Sequence, residues 1–105
     1  MKLNVHVDDN SFPLDVPDDM LVDAEHIYLK MDGEMDKGWQ MYRDWVVDLT
    51  KEQRCQVVAD KLLTALENEN QSSSLLMAGY IMTRLPEIGT IHISTDGDIT
   101  QTQLG

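Results

Sequence analysis

A chain of 105 residues carrying 19 acids against 8 lysines and arginines has a formal charge of −11, yet 42% of it is hydrophobic. That length accommodates one core, and the apolar content is too high for an intrinsically disordered acidic chain. The charge excludes direct DNA or RNA binding, which draws its affinity from Lys and Arg displacing counterions, and the longest mostly apolar run, Leu75 to Met82, falls far short of the ~20 residues of a membrane span.

In chain order, "KLNVHV" alternates Leu3, Val5 and Val7 with polar residues, the period-two pattern of a half-buried strand over Lys2–Val7. The following "DDNSFPLDVPDD" holds two prolines and several turn formers. It predicts a loop, with Phe12 and Leu14 tucked against the core. Pro17 suits a first helical turn, and Asp18 and Asp19 favour the positive end of a helix dipole. Met20, Ala24, Ile27 and Met31 then recur at helical spacing, predicting one amphipathic helix that ends near Asp32–Gly33, with Gly33 as a left-handed cap.

After Gly38, the spacing of Trp39, Tyr42, Val46 and Leu49 predicts a short helix that stops before Thr50. "TKEQ" from Thr50 to Gln53 is a capping box, in which hydroxyl and amide side chains satisfy each other's backbone N–H groups. Behind it Cys55, Val58, Leu62, Ala65 and Leu66 form the buried stripe of a long helix reaching about Glu69. "NENQSSS" is turn material, one of Ser72 to Ser74 caps the next helix, and Pro86 ends it. Within that helix "LLMAGYIM" is apolar all round, which makes it either the central helix of the fold or an exposed interface helix. Gly79 there costs ~1 kcal/mol against alanine and marks a close approach. The tail "GTIHISTDGDITQTQLG" predicts a hairpin with a Thr95–Asp96–Gly97 loop, Gly97 left-handed and Ile93 paired with Ile99.

The stretch "KMDGEMDKGWQMYRDWV", Lys30 to Val46, concentrates acids, glycines, methionines and both tryptophans. As a calcium loop it supplies Asp32, Glu34 and Asp36, but Lys37 stands where the loop's glycine belongs and Arg43 where its bidentate glutamate belongs. In a helix the two indoles point about 120° apart, so they do not share one narrow stripe. Either one tryptophan anchors the core while the other covers its edge, or Trp39, Tyr42, Arg43 and Trp45, flanked by Met35, border a partner groove made of residue types enriched in binding hot spots.

A second candidate surface is the acidic N-terminal part. No lysine or arginine stands between Lys2 and Lys30, while Asp8, Asp9, Asp15, Asp18, Asp19, Asp23 and Glu25 do. Such a face either keeps the protein soluble or docks onto a basic partner, with Asp18, Asp19 and Asp23 as its contacts. His6 and His92 fall on the polar faces of two predicted strands, where the rings can lie side by side; zinc would need further ligands. Cys55 belongs to a buried stripe, which disfavours its thiolate. The serines lack a hydrolase elbow, and the scattered glycines form neither a P-loop nor a dinucleotide fingerprint.

These readings converge on an α+β domain over residues 1–105: an N-terminal strand, three to four helices, and a C-terminal β-hairpin completing a small three-stranded antiparallel sheet packed on the helices. The lone cysteine and the absence of a long apolar stretch in "MKLNVHVDDN" point to the cytoplasm. The expected function is a protein-binding accessory or adaptor domain without catalytic activity, cofactor or metal. Its partner is another protein, of basic character if the acidic face is used, or a second copy through the apolar 75–82 helix or a sheet edge. Two alternatives stand beside it: an acidic nucleic-acid mimic that inhibits a DNA- or RNA-binding protein, and a small-ligand or metal-binding protein.

Overall fold

Leu3 and Val5 are fully buried while Lys2 and Asn4 face outward, and this alternation is strand β1, Lys2–Val7, of the computed structural model, which describes residues 1–105. The fold is α+β, with four α-helices, a four-stranded sheet and a separate two-stranded one.

The segment expected to be a loop is instead strand β2, Asn10–Asp15, paired antiparallel to β1. Pro13 within it does not prevent this because β2 lies at the edge of the sheet, where a missing N–H is tolerated. Leu14 is buried and Phe12 partly so, as expected. The connecting turn places Asp8 at φ 53°.

The helix expected from Pro17 to Gly33 is two helices. Helix α1 spans Asp18–Asp23 behind Pro17, and α2 spans Glu25–Met35, with Ala24 at the break. The break rotates the stripe. Ala24, Tyr28 and Met35 are buried, whereas Ile27 remains 37% exposed and Met20 and Met31 are only partly covered. Tyr28 wins the core position because its hydroxyl reaches the Leu76 carbonyl at 2.8 Å, so the buried ring carries no unpaired polar atom. Gly33 lies inside α2 and caps nothing. The left-handed glycine comes later, at Gly38 with φ 99°, whose N–H donates to the Met35 carbonyl.

No helix forms over residues 39–49. Trp39–Gln40 (β3) and Trp45–Val46 (β4) make a small antiparallel hairpin with Trp39 opposite Val46. The helical spacing was coincidental; aromatic and β-branched side chains favour an extended backbone. The Thr50 capping box is present, with Gln53 N–H to Thr50 Oγ1 at 3.1 Å and Thr50 N–H to Gln53 Oε1 at 2.9 Å. It starts helix α3, Lys51–Glu67. Helix α4, Gln71–Arg84, is capped not by a serine but by Asn70, which accepts the Ser73 N–H.

Ala78, Gly79, Tyr80, Ile81 and Met82 are all buried. Helix α4 is therefore the central helix of the fold, with Leu75, Leu76 and Met77 at its start only partly covered. Asparagine outcompetes the serines at its start because the chain turns at Glu69, φ 53°, leaving Asn70 in the extended conformation of an N-cap.

The C-terminal strands pair differently from expectation. Strand β5, Thr90–Ile93, is antiparallel to β6, Gln103–Leu104, with Ile91 opposite Leu104. Between them Asp98 caps a 3-10 turn, Ile99–Gln101, by accepting the Thr100 N–H. The Thr102 hydroxyl accepts the Ser94 N–H, and Gln56 of α3 donates to the carbonyls of Thr100 and Thr102. These bonds replace the short loop, although Gly97 is left-handed as expected. The sheet order is β2-β1-β5-β6, with β1 and β5 parallel. It is mixed rather than antiparallel, because the helices between β1 and β5 supply the crossover that parallel neighbours require.

One face of the sheet buries Leu3, Val5, Leu14, Ile91 and Ile93 in the core with α3 and α4. The other is polar, and across its four strands Ser11, His6, His92 and Gln103 stand in register. His6 and His92 stack with centroids 4.7 Å apart and planes 15° from parallel. No helix is long and apolar enough to cross a membrane.

Candidate functional site

The hairpin brings Trp39, Tyr42, Arg43 and Trp45 together and divides their roles. Met41 and Leu49 are buried and anchor its two ends, and Trp39 packs partly buried against the core beneath the Lys61 ammonium, 5.3 Å from the ring. Trp45 and Tyr42 point outward, 61% and 45% exposed, beside exposed Val47. The Arg43 guanidinium lies 5.2 Å from the Tyr42 ring centroid.

The exposed indole is held in place. A Cβ built on Gly38 would fall 2.7 Å from Trp45 Nε1, so the ring rests directly on the glycine backbone. The Met41 N–H donates to the Asp44 carbonyl at 3.0 Å and Gln40 Nε2 to the Tyr42 carbonyl at 3.0 Å, closing the turn. A cavity of about 350 Å³ lies beside it, bordered by Met41, Tyr42, Arg43 and Val46. Met35, expected on this surface, is instead buried at the end of α2. It belongs to the core because the break at Ala24 turns that side of α2 inward.

Asp18, Asp19 and Asp23 are exposed on α1 and belong to a different surface. Asp19 and Asp23 border a shallow depression of about 320 Å³ floored by Met20, Ala24, Ile27 and Leu76.

A third arrangement is a cluster centred on Asp32. Its carboxylate accepts the Tyr80 hydroxyl, Arg84 Nη2 at 2.7 Å and Arg54 Nη1 at 3.4 Å. Arg54 also donates to Asp36 at 2.6 Å and to the Leu49 carbonyl, and Arg84 to Glu25 at 3.3 Å. The Arg84 guanidinium lies over the rings of Tyr80 and Tyr28, 4.7 and 5.7 Å from their centroids. A cavity of about 370 Å³ opens here, with Lys51 at its border.

Burial works against the Asp32 charge, but the hydrogen bonds from Tyr80 and Arg84 and the two guanidinium charges outweigh it and hold the carboxyl below its ordinary range. Burial and the Asp32 carboxylate push the Tyr80 phenol well above its ordinary value. Tyr28 is raised to about 12, chiefly by burial. Burial opposes the Arg84 charge, but its carboxylate partners reinforce it; Arg54 is raised mainly by its hydrogen bond to Asp36. General acid or base work calls for a group poised near the working pH, and these shifts move the groups away from neutrality. The cluster ties α2 to α3 and α4 through Asp32, Arg54 and Arg84. The carboxylates offered to calcium in the loop reading, Asp32 and Asp36, are engaged by arginines.

Cys55 is fully buried, its thiol pushed up to about 12 mainly by burial. The Asp32 cluster left a faint trace in the sequence. Asp32 on α2 and Asp36 at its C-cap are four apart, as are Tyr80 and Arg84 on α4, which puts each pair on one helix face. Compared with protein-family models, curated proteins and solved structures, the chain matches none.

Proposed function

We propose that this chain is a cytoplasmic accessory or adaptor domain, without catalytic activity, that binds another protein through the β3–β4 hairpin. The observation that carries the reading is Trp45, 61% exposed while its indole rests on Gly38. A large aromatic fixed at the surface loses little conformational freedom on binding and buries a large apolar area. Tyr42 and Arg43 beside it are residue types that dominate binding energies. The anchoring of the hairpin through Met41 and Leu49 supports the same reading, because it presents the aromatics on a preformed frame.

Affinity capture from a native extract tests it, with wild-type protein compared against Trp45→Ala and against Asp18, Asp19 and Asp23 all changed to asparagine. The expected result is a stoichiometric partner that withstands raised salt and is lost by Trp45→Ala. A partner lost only by the asparagine variant, and released as salt rises, would replace this reading with docking of a basic partner on the acidic face or with nucleic-acid mimicry. Sedimentation of the purified protein shows in addition whether the partner is a second copy.

A further inference from the structure

We propose that the depression between α1 and α2 receives the apolar face of a basic amphipathic helix from a partner protein. This surface is separate from the hairpin and does not depend on the hairpin's role. Its floor is Met20, Ala24, Ile27 and Leu76, and its border carries Asp19 and Asp23. An apolar floor rewards aliphatic side chains that leave water, and the carboxylates beside it select the charge that accompanies them.

Complementarity decides among occupants. No lysine or arginine stands between Lys2 and Lys30, so none on α1 offsets Asp19 or Asp23, while Asp18 lies 3.5 Å from the N-terminal ammonium. Arg84, the cation that reaches α2 at Glu25, is engaged there and at Asp32. A second copy would set one acidic border against another in chains that each carry −11, and an anionic lipid surface would be repelled in the same way.

The spacing fits a helix. Asp19 and Asp23 are one turn apart on α1, about 6 Å along its axis, and lysines or arginines four apart on a helix lying alongside have the same spacing. Apolar residues at three- and four-residue intervals on that helix then meet the floor. The receiving surface is preformed: the Tyr28 hydroxyl holds the Leu76 carbonyl at 2.8 Å, and Arg84 ties α2 down through Glu25 and Asp32.

The test titrates isotope-labelled protein with a synthetic amphipathic Leu/Lys helix, a scrambled peptide of the same composition, and a Leu/Glu analogue, following backbone amide shifts. The expected result is saturable shifts confined to α1, the start of α2 and Leu76, with binding at least about tenfold weaker for the scrambled peptide and none for the Leu/Glu analogue. Ile27→Asp, and separately Asp19→Lys with Asp23→Lys, each weaken binding at least about tenfold, and both variants alter exposed positions, so their amide spectra remain folded. Shifts that map elsewhere, equal binding of the scrambled peptide, or unchanged affinity in Ile27→Asp would each overturn the proposal. So would a concentration-dependent dimer abolished by Ile27→Asp, which would make a second copy the occupant.

Discussion

Arg84 on α4 and Asp32 on α2 meet at 2.7 Å, and the same carboxylate also takes the Tyr80 hydroxyl and Arg54. The two guanidiniums are only 15% and 17% exposed, so removing their shared partner strands charge in a poorly solvated place. Asp32→Ala is expected to lower stability by about 3 kcal/mol, measured by urea unfolding, with Asp32→Asn milder because it still accepts from Tyr80. The pH dependence follows from the sign of the shift. The folded-state pKa of Asp32 lies below the ordinary 3.8, so its contribution is present above that value and is lost as pH falls through the folded value. The wild-type acid limb should flatten in Asp32→Asn; an unchanged limb would mean that the cluster does not respond to pH through Asp32.

Tyr28 and Gly79 interlock. A Cβ at position 79 would clash with the Tyr28 hydroxyl and fall 3.0 Å from Leu21 Cδ2. Alanine gains about 1 kcal/mol of helix propensity, but displacing Tyr28 breaks its bond to Leu76 and overpacks the contact, for a net loss of about 2 kcal/mol. In a Tyr28→Phe background the same substitution should be markedly less damaging, since the offending atom is gone. Additive effects in that double-mutant cycle would refute the interlock. The wild-type protein should also lose stability between pH 10 and 12, as Tyr28 ionises in the unfolded chain before the folded one, because its folded-state pKa is raised from 10.0 to about 12.

Cys55 is expected to be inert in the native protein. Thiol exchange proceeds through the thiolate, and this thiol is both fully buried and pushed up to about 12. Reaction with a chromogenic disulfide at neutral pH should be complete within minutes in denaturant and track global unfolding in its absence. Rapid native labelling would place Cys55 outside the core.

Glu69 holds a left-handed backbone, φ 53°, between α3 and α4. A residue with a Cβ pays about 1 kcal/mol there relative to glycine, and the side chain is exposed. Glu69→Gly should therefore raise the melting temperature by a few degrees, the shift expected of about 1 kcal/mol in a domain of this size. A fall in melting temperature would mean that Glu69 makes a stabilising contact outweighing the strain.

The legible parts of this chain were the locally coded ones. Strand β1 was readable because Leu3, Val5 and Val7 alternate, helix α3 because Thr50 and Gln53 complete each other's hydrogen bonds three residues apart, and the end of α4 because Pro86 cannot continue it. The His6–His92 neighbourhood also followed, since both fall on the polar phase of a strand. Strand β2 was hidden by Pro13, which is harmless only at an edge, and edge position is a property of the whole sheet. The hairpin was hidden because Trp39, Tyr42, Val46 and Leu49 imitate a helical stripe. Of the candidate site, the aromatic residues were found but their division into anchor and exposed ring was not, and Met35 was misplaced because its burial depends on how α2 packs after the break at Ala24.

By itself the sequence determined the α+β composition, the acidity of the N-terminal part, the start of α3 and the end of α4. Those follow from periodicity and from bonds between residues a few positions apart. Only the tertiary structure decided that β5 runs parallel to β1, that Ile91 rather than Ile93 is paired across the last strands, that Asp32 gathers two arginines from other helices, and that Trp45 rather than Trp39 faces outward. Strand register, charge pairing and exposure depend on partners far away in the chain, and local pattern carries no record of which partner arrives.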